Sequence, residues 1–166
     1  MSLRLILMRH AKSDWDDPTQ PDHARPLNPR GRASATAMGD WLRARGDLPN
    51  LALVSDATRT RETFARLKLE AEAQFLPRLY HAGPAMMMDV LQGAGTAGCV
   101  LMLGHNPGIA EFAERLLTRP VTHPRFYDYP TCATLVANFP VADWADVSFG
   151  TGTAVDFAVP REVIDG

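Results

Sequence analysis

The chain has 166 residues, 46% of them hydrophobic and 22% charged, and its formal net charge at pH 7 is −2. This size and composition predict one globular domain spanning residues 1–166. The slightly negative balance offers no broad positive field for a nucleic-acid backbone, and no apolar run is long enough to cross a bilayer. Neither nucleic acid nor a membrane is therefore an expected partner.

The two cysteines, Cys99 and Cys132, are too few for a disulfide framework and lack the spacing of metal ligands. A reducing cytoplasm is the compartment that this cysteine usage favours. The apolar stretch near the N-terminus is interrupted by Arg4 and has no small-residue cleavage site behind it, so we do not expect secretion. The sequence carries no signal for an oligomeric state.

The first predicted element is a buried central strand that ends in two functional side chains. Its apolar run, Leu3 to Met8, contains no turn residue and is long enough for a strand covered on both faces. Arg9 and His10 follow at once, bringing an anion-binding charge beside a titratable nitrogen. Taken alone, the pair is better interpreted as ordinary surface residues at a strand end, because motif matches this short arise by chance.

The stretch after this strand is predicted to be a loop over the end of the sheet, because three prolines fall between residues 18 and 26. Lys12, Ser13 and Trp15 would then lie near the crevice at the strand ends, or in a solvated connector. Arg25 can either reach back to that crevice or pair with an aspartate.

Asn28 and Pro29 mark the start of the first predicted helix, as N-cap and first helical residue, and Gly46 marks its end. Apolar residues recur at helical spacing between them. We expect Met38 and Trp41 to lie in the core.

A second buried strand is predicted from Leu51 to Val54, with Ser55-Asp56 capping a helix that begins about Ala57. Arg59 falls in the first turn of this helix, where its side chain can swing toward the strand ends. Arg61 lies on another face and is expected in solvent. The residues expected on the core side are Phe64, Ala65 and Leu67.

A short third strand, Phe75-Leu76, precedes His81 and a helix predicted from Pro84 to Leu91. The helix residues expected to pack inward are Met86, Met87, Val90 and Leu91. Methionines in such a cluster usually fill a core rather than hold a cofactor.

The fourth predicted strand, Cys99 to Leu103, ends in Gly104-His105, and Asn106-Pro107 repeats the cap-and-proline start of the first helix. The residues that follow have the clearest helical spacing in the chain: Ile109, Phe112, Ala113, Leu116 and Leu117. The start of this helix would point at the strand ends, where free N–H groups favour a phosphate beside His105.

The last part of the chain is predicted to finish the sheet with antiparallel strands. A proline-containing loop from Arg119 to Pro130 precedes a strand over Thr131 to Phe139. Two weaker strands, Val147 to Phe149 and Ala154 to Val159, are expected at one edge, because no helix separates them.

Three buried strands thus end in basic or imidazole residues, and the ligands of an open α/β sheet bind outside the carboxyl ends of its parallel strands. We therefore expect Arg9, His10, Arg59 and His105 to converge. Guanidinium groups match phosphate oxygens, and a neutral imidazole between them can attack phosphorus. His10 would keep one ring nitrogen bare while the other donates to a backbone carbonyl, and a protonated His105 would add charge.

Three motifs, taken in this order, resemble the histidine phosphatase superfamily, which includes the cofactor-dependent phosphoglycerate mutases. They are Leu7-Met8-Arg9-His10-Ala11-Lys12, Ser55-Asp56-Ala57-Thr58-Arg59-Thr60-Arg61-Glu62-Thr63 and Gly104-His105-Asn106-Pro107. Two further phrases are similar to the SixA branch, the phosphohistidine phosphatases of bacterial phosphorelays. These are Arg25-Pro26-Leu27-Asn28-Pro29-Arg30-Gly31 and Leu79-Tyr80-His81-Ala82.

The resemblance implies a three-layer α/β/α sandwich with a mostly parallel sheet and an antiparallel edge. It also implies a phosphohistidine intermediate on His10, a phosphate pocket of Arg9, Arg59 and His105, and hydrolysis without a metal or other cofactor. The further candidates for substrate binding are Asn106, Lys12 and Ser13.

The sequence departs from the family pattern at two places. Ala11 stands where the family has glycine, a change that is tolerated unless the backbone needs a positive φ. His81 is the only candidate proton donor where many members have a glutamate. The imidazole of a phosphohistidine leaves more easily than an alkoxide, so we hypothesise that little acid help is needed.

The function that these features favour is that of a protein phosphohistidine phosphatase, because the chain has no room for a large cap over the crevice. One alternative is a phosphomonoesterase acting on a small phosphate ester. Another is a regulatory module that binds phosphate without turnover.

Overall fold

The structure is a computed structural model that describes residues 2–165. It contains a six-stranded sheet with the strand order β3-β2-β4-β1-β5-β6. The first four strands in this order are parallel, β5 runs antiparallel to β1, and β6 runs antiparallel to β5. The strands are β1 Leu3–Arg9, β2 Leu51–Ser55, β3 Glu72–Leu76, β4 Cys99–Gly104, β5 Thr134–Phe139 and β6 Thr153–Ala158.

Helices cover both faces of the sheet and give the three layers that the sequence predicts. The helices are α1 Pro29–Arg45, α2 Thr58–Leu67, α3 Pro84–Gln92, α4 Gly108–Leu116 and α5 Pro160–Asp165. Leu5 and Leu7 of β1 pack in the core under α3 and α4, whereas Ile6 and Met8 pack in the core under α1 and α2. Successive side chains of a strand point to opposite faces, so β1 is buried on both sides, as expected for a central parallel strand.

The α/β fold with an antiparallel edge is confirmed, and so are both ends of α1. The Asn28 side chain accepts a hydrogen bond from the N–H of Gly31 at 2.8 Å, and Gly46 ends the helix with a φ of 77°. This left-handed conformation favours glycine. Gly31 is needed for close packing, since a Cβ there would lie 2.0 Å from the carbonyl oxygen of Lys12.

The carboxyl ends of β1, β2 and β4 meet at one edge of the sheet, which is where the sequence places its functional residues. Arg9 is in register with Gly104, and Val54 is in register with Leu103. The residues that follow these three strands are therefore brought together although they lie in distant parts of the chain.

The side-chain caps predicted for two helices are wrong. Asn106 does not cap α4, because its side-chain amide donates to the carbonyls of Asp128 and Tyr129, and the helix begins at Gly108. The helix α2 begins at Thr58 with no side-chain cap at Ala57. The hydroxyl of Ser55 accepts from the N–H of Ala57 at 3.3 Å, which tightens the turn before the helix.

Two predicted core positions and one strand are also wrong. The prediction for Trp41 is partly confirmed: its side chain is half-buried, packs against the core under α1 and α2, and carries the guanidinium of Arg45 on its ring at 4.9 Å. Met86 and Ala65 are exposed, because other residues form the buried faces of these helices. The buried face of α3 includes Met87 and Met88, and that of α2 includes Thr63 and Leu67. Residues 147–149 follow a turn of 3-10 helix and form no strand, and the sequence analysis did not predict α5.

No helix within residues 2–165 is long and apolar enough to cross a membrane.

Candidate active site

His10 comes directly after the last residue of β1 and is 6% exposed. Its Nδ1 lies 2.7 Å from the carbonyl oxygen of Ala11, which can only accept, so Nδ1 carries the proton and Nε2 is bare. Burial lowers the pKa of His10 to about 3, and the charges of Arg9 and Arg59 act in the same direction. The ring is therefore neutral at pH 7, with Nε2 unprotonated, in the tautomer that the sequence predicts.

Arg9 and Arg59 approach His10 from two different elements. Arg9 ends β1, and its Nη1 donates to the carbonyl of Tyr129 at 3.2 Å, while its buried Nε has no hydrogen-bond partner in the described part of the chain. Arg59 lies in the first turn of α2, and its side chain is 8% exposed. Both guanidinium groups keep free donors that can bind the oxygens of an anion.

His105 follows the last residue of β4, with its ring centroid 5.2 Å from that of His10. Its Nε2 lies 2.8 Å from the hydroxyl oxygen of Ser55. Burial, together with the charges of the neighbouring His10 and Arg59, lowers the pKa of His105 to about 2. The expectation of a protonated His105 is therefore wrong for this structure, because the ring is buried beside a cation without a contacting carboxylate. A neutral ring still has one N–H to donate.

These four residues line one cavity of about 540 Å³, which we call the reaction cavity. The structure thus brings together every side chain that the sequence predicts for the anion site. The residues that line the reaction cavity are Arg9, His10, Lys12, Ser13, Trp15, Asp22, Arg59, His81, His105, Asn106 and Thr131. Two guanidinium groups and one ammonium group make it a site for an anion.

The sequence analysis assigned no role at the site to Asp22 or Tyr80, which the structure places beside Arg59. Asp22 Oδ2 accepts hydrogen bonds from the hydroxyl of Tyr80 and from Nη2 of Arg59, the latter at 3.1 Å. These contacts, the Tyr80 hydrogen bond first, lower the pKa of Asp22, so its carboxylate is ionised at neutral pH. The reaction cavity therefore contains a fixed negative charge beside Arg59.

The remaining candidates lie around the mouth of the reaction cavity. Lys12 and His81 are exposed, and the His81 ring is 3.9 Å from that of Tyr80. The buried Ser13 accepts a hydrogen bond from Nε1 of Trp15 at 2.9 Å. The Asn106 amide also reaches the reaction cavity, but its donors are already bound to backbone carbonyls.

Arg25 and Arg61 do not line the reaction cavity. Arg25 is buried, donates to the carbonyl of Asp17 at 3.0 Å and stacks on the ring of Trp15 at 4.0 Å, so it braces the loop after β1. Arg61 is exposed, as expected, and stacks on Phe75 at 4.4 Å.

The structure also explains why Ala11 can replace a glycine. Ala11 is fully buried and is not among the described residues with positive φ, so its Cβ causes no backbone strain. Its N–H donates to the hydroxyl of Thr63 at 3.0 Å, which connects the loop after β1 to α2.

Within residues 2–165, no three His, Cys, Asp or Glu side chains are close enough together to hold a metal ion.

Comparisons with known proteins identify the family and the fold of this chain. The sequence model of the histidine phosphatase superfamily (branch 1) matches residues 5–82. An uncharacterized protein of Mycobacterium tuberculosis is 36% identical over 160 residues, which covers 93% of this chain and 100% of that protein. The structure of a putative phosphohistidine phosphatase SixA from Nakamurella multipartitia superposes with a TM-score of 0.84 at 26% identity, covering 96% of this chain and 97% of that one.

The chain belongs to the histidine phosphatase superfamily. A putative SixA from Agrobacterium tumefaciens has the same fold, with a TM-score of 0.77 at 24% identity over 95% of this chain and 98% of that one. These matches confirm the phosphoglycerate mutase-like fold and the SixA-type branch of the superfamily. Membership of the superfamily supports a phosphatase, and the mycobacterial relative, being uncharacterized, adds no substrate.

Proposed function

We propose that this protein is a protein phosphohistidine phosphatase that works through a covalent phosphohistidine on His10. The observation that carries the proposal is the fixed tautomer of His10. Its Nδ1 is held by the Ala11 carbonyl, so the bare Nε2 sits in a cavity with two guanidinium groups. A neutral buried imidazole with one free lone pair is the group that nucleophilic phosphoryl transfer needs.

In the first step, Nε2 of His10 attacks phosphorus, and the bond between phosphorus and the leaving nitrogen breaks as the new P–Nε2 bond forms. Arg9 and Arg59 neutralise the charge on the phosphoryl oxygens, and the N–H of His105 adds a donor. In the second step, water attacks the phosphoenzyme, which releases inorganic phosphate and returns His10 to its neutral form. The protons of the water end on phosphate or solvent.

The ionised carboxylate of Asp22 favours a phosphohistidine over a phosphate ester as the substrate. When the far nitrogen of a phosphohistidine ring is protonated, the ring leaves as neutral imidazole and needs no proton on the departing atom. Asp22 Oδ1 makes no hydrogen bond within residues 2–165, so it is free to accept that far N–H. A serine alkoxide requires a proton donor instead, and a carboxylate with a lowered pKa is a poor one.

The mouth of the reaction cavity supports a substrate carried on a protein. Trp15 is 61% exposed, and Lys12 and His81 are exposed beside it, so the cavity opens directly to solvent. A phosphohistidine on a protein surface can enter such a site without enclosure. A role in phosphorelay signalling in the cytoplasm belongs to the same proposal, and the free thiols of Cys99 and Cys132 support a reducing compartment.

The test compares two peptides of one sequence that carry either phosphohistidine or phosphoserine at the same position, together with a panel of small phosphate esters. We expect kcat/KM to be highest for the phosphohistidine peptide. A clear preference for phosphoserine or for a small ester would contradict the proposal. Arg59→Ala and Arg61→Ala form a matched pair for this assay, because only the first removes a side chain from the reaction cavity.

A further inference from the structure

A second cavity adjoins the reaction cavity, and most of the charged side chains that line it are positive. It has a volume of about 540 Å³ and shares Lys12 and Thr131 with the reaction cavity. We call it the basic groove and define it by four cationic side chains: Lys12, Arg30, Arg125 and Arg161. Because the two cavities share these two residues, a molecule that lies in the basic groove reaches the edge of the cavity that His10 lines.

The positive charge of the basic groove is only partly balanced. Arg125 pairs with Asp128 at 2.9 Å, and Arg161 lies 3.8 Å from Asp165. Lys12 and Arg30 form no ion pair among the residues that the structure describes. This local excess stands out in a chain whose formal net charge is −2. Such a patch attracts anionic groups and steers their approach.

The position of Arg30 adds an independent argument. Arg30 is the second residue of α1, a helix of 17 residues whose first turn contains no acidic side chain. A helix N-terminus favours negative charge, so an arginine there is electrostatically unfavourable for the fold. Arg30 is exposed and packs in no core, so neither burial nor the helix dipole accounts for a positive charge at this position.

The walls of the basic groove suit a protein better than a free small anion. Val159, Pro160 and Ile164 contribute apolar surface, and Ile164 is 56% exposed. A surface that combines exposed apolar side chains with cations fits the acidic face of a protein, which presents carboxylates together with apolar residues.

We propose that the basic groove is a docking surface for the acidic face of the phosphorylated partner protein. Docking there would bring the phosphohistidine of the partner into the reaction cavity through the shared wall at Lys12 and Thr131. The inference rests on the proposed function for the identity of the reacting group. It adds a recognition surface that lies outside the reaction cavity.

The test uses two phosphohistidine peptides, one with glutamate-rich flanks and one with neutral flanks. For the wild type at low salt, we expect kcat/KM to be about tenfold higher for the acidic peptide, and this preference should fall as salt is raised. The double variant Arg30→Glu/Arg161→Glu should lose the preference and keep the wild-type kcat/KM on the neutral peptide. Arg66→Glu, an exposed arginine on α2 outside both cavities, should behave as the wild type does.

A binding measurement separates the basic groove from the chemistry. The acidic peptide with unphosphorylated histidine should bind the wild type, and binding to the double variant should be about tenfold weaker. Binding without turnover of either phosphopeptide would overturn the proposed function and leave the docking surface standing. Turnover without preference for the acidic peptide, or binding of tripolyphosphate but not of the acidic peptide, would overturn the docking surface.

The stability of the double variant guards against an unfolding artefact. Because Arg30→Glu puts a negative charge at the start of α1, the variant should unfold at a temperature equal to or above that of the wild type. A loss of acidic-peptide preference in a protein of undiminished stability assigns the effect to docking. An equal loss of activity on both peptides would contradict the proposal.

Discussion

Acidification should destabilise this protein through His10 and His105. The two rings are held neutral in the folded state, with their pKa values lowered to about 3 and about 2, whereas a histidine in the unfolded chain has a pKa of about 6.5. Between these pH values, the two histidines therefore bind protons in the unfolded chain but not in the folded protein. Stability is fully present above pH 6.5 and is lost as the pH falls toward the folded-state values.

The magnitude follows from the unfolded-state pKa alone as long as the pH stays above both folded-state values. At pH 5, protonation of one histidine in the unfolded chain lowers the free energy of unfolding by about 2 kcal/mol. Two such residues give about 4 kcal/mol, which is a large part of the 5–15 kcal/mol that stabilises a typical domain. Both side chains are more than 90% buried, so solvent screening reduces the effect little.

The assay is urea unfolding at pH 8 and pH 5, followed by tryptophan fluorescence, to which the buried Trp144 contributes. His105→Gln should lose about 2 kcal/mol less than the wild type between the two pH values. His23→Gln is the matched control, because it removes an imidazole whose side chain is 45% exposed. Equal losses in His105→Gln and the wild type would refute the assignment of a buried neutral ring.

The other predictions concern the reaction cavity and the loop after β1. Arg59→Ala should lower kcat/KM on the order of 10²-fold, as loss of a preorganised charge donor does elsewhere, while Arg61→Ala stays near the wild type; similar losses in both would contradict the placement of Arg59. Asp22→Asn should lower kcat/KM for a phosphohistidine peptide on the order of tenfold and spare p-nitrophenyl phosphate, and equal effects on the two substrates would argue against a role at the leaving group. Gly31→Ala should lower the free energy of unfolding by several kcal/mol in urea titration, because its Cβ would lie 2.0 Å from a backbone oxygen; an unchanged midpoint would show that the loop after β1 can move away.

Local signals were sufficient for the elements that carry His10 and His105. The apolar runs of β1 and β4 gave the strands, and the rule that ligands bind at the carboxyl ends of parallel strands gave their convergence. Asn28 and Gly46 fixed the ends of α1, because each residue type has its own physical reason to stand there. Each of these signals depends on only a few neighbouring residues, and the predicted strands and helix ends are present in the structure.

The parts that the sequence did not predict depend on contacts between distant residues. Asp22 and Tyr80 are 58 positions apart, and the proline-containing loop around Asp22 has no periodicity that would place its side chain. The amide of Asn106 bonds to carbonyls more than 20 positions away instead of capping α4. The charge state of His105 depends on its burial beside Arg59, which no spacing in the sequence reveals.

The central claim is that phosphate is carried on His10, and rapid-quench trapping tests it most directly. The wild type is mixed with a phosphohistidine peptide bearing radiolabelled phosphate, quenched in base and digested, and the modified residue is located by mass spectrometry. We expect an acid-labile, base-stable phosphate on His10, and none in a His10→Ala variant whose circular dichroism matches the wild type. Turnover without a phosphoenzyme, or a phosphate on another residue, would contradict the claim.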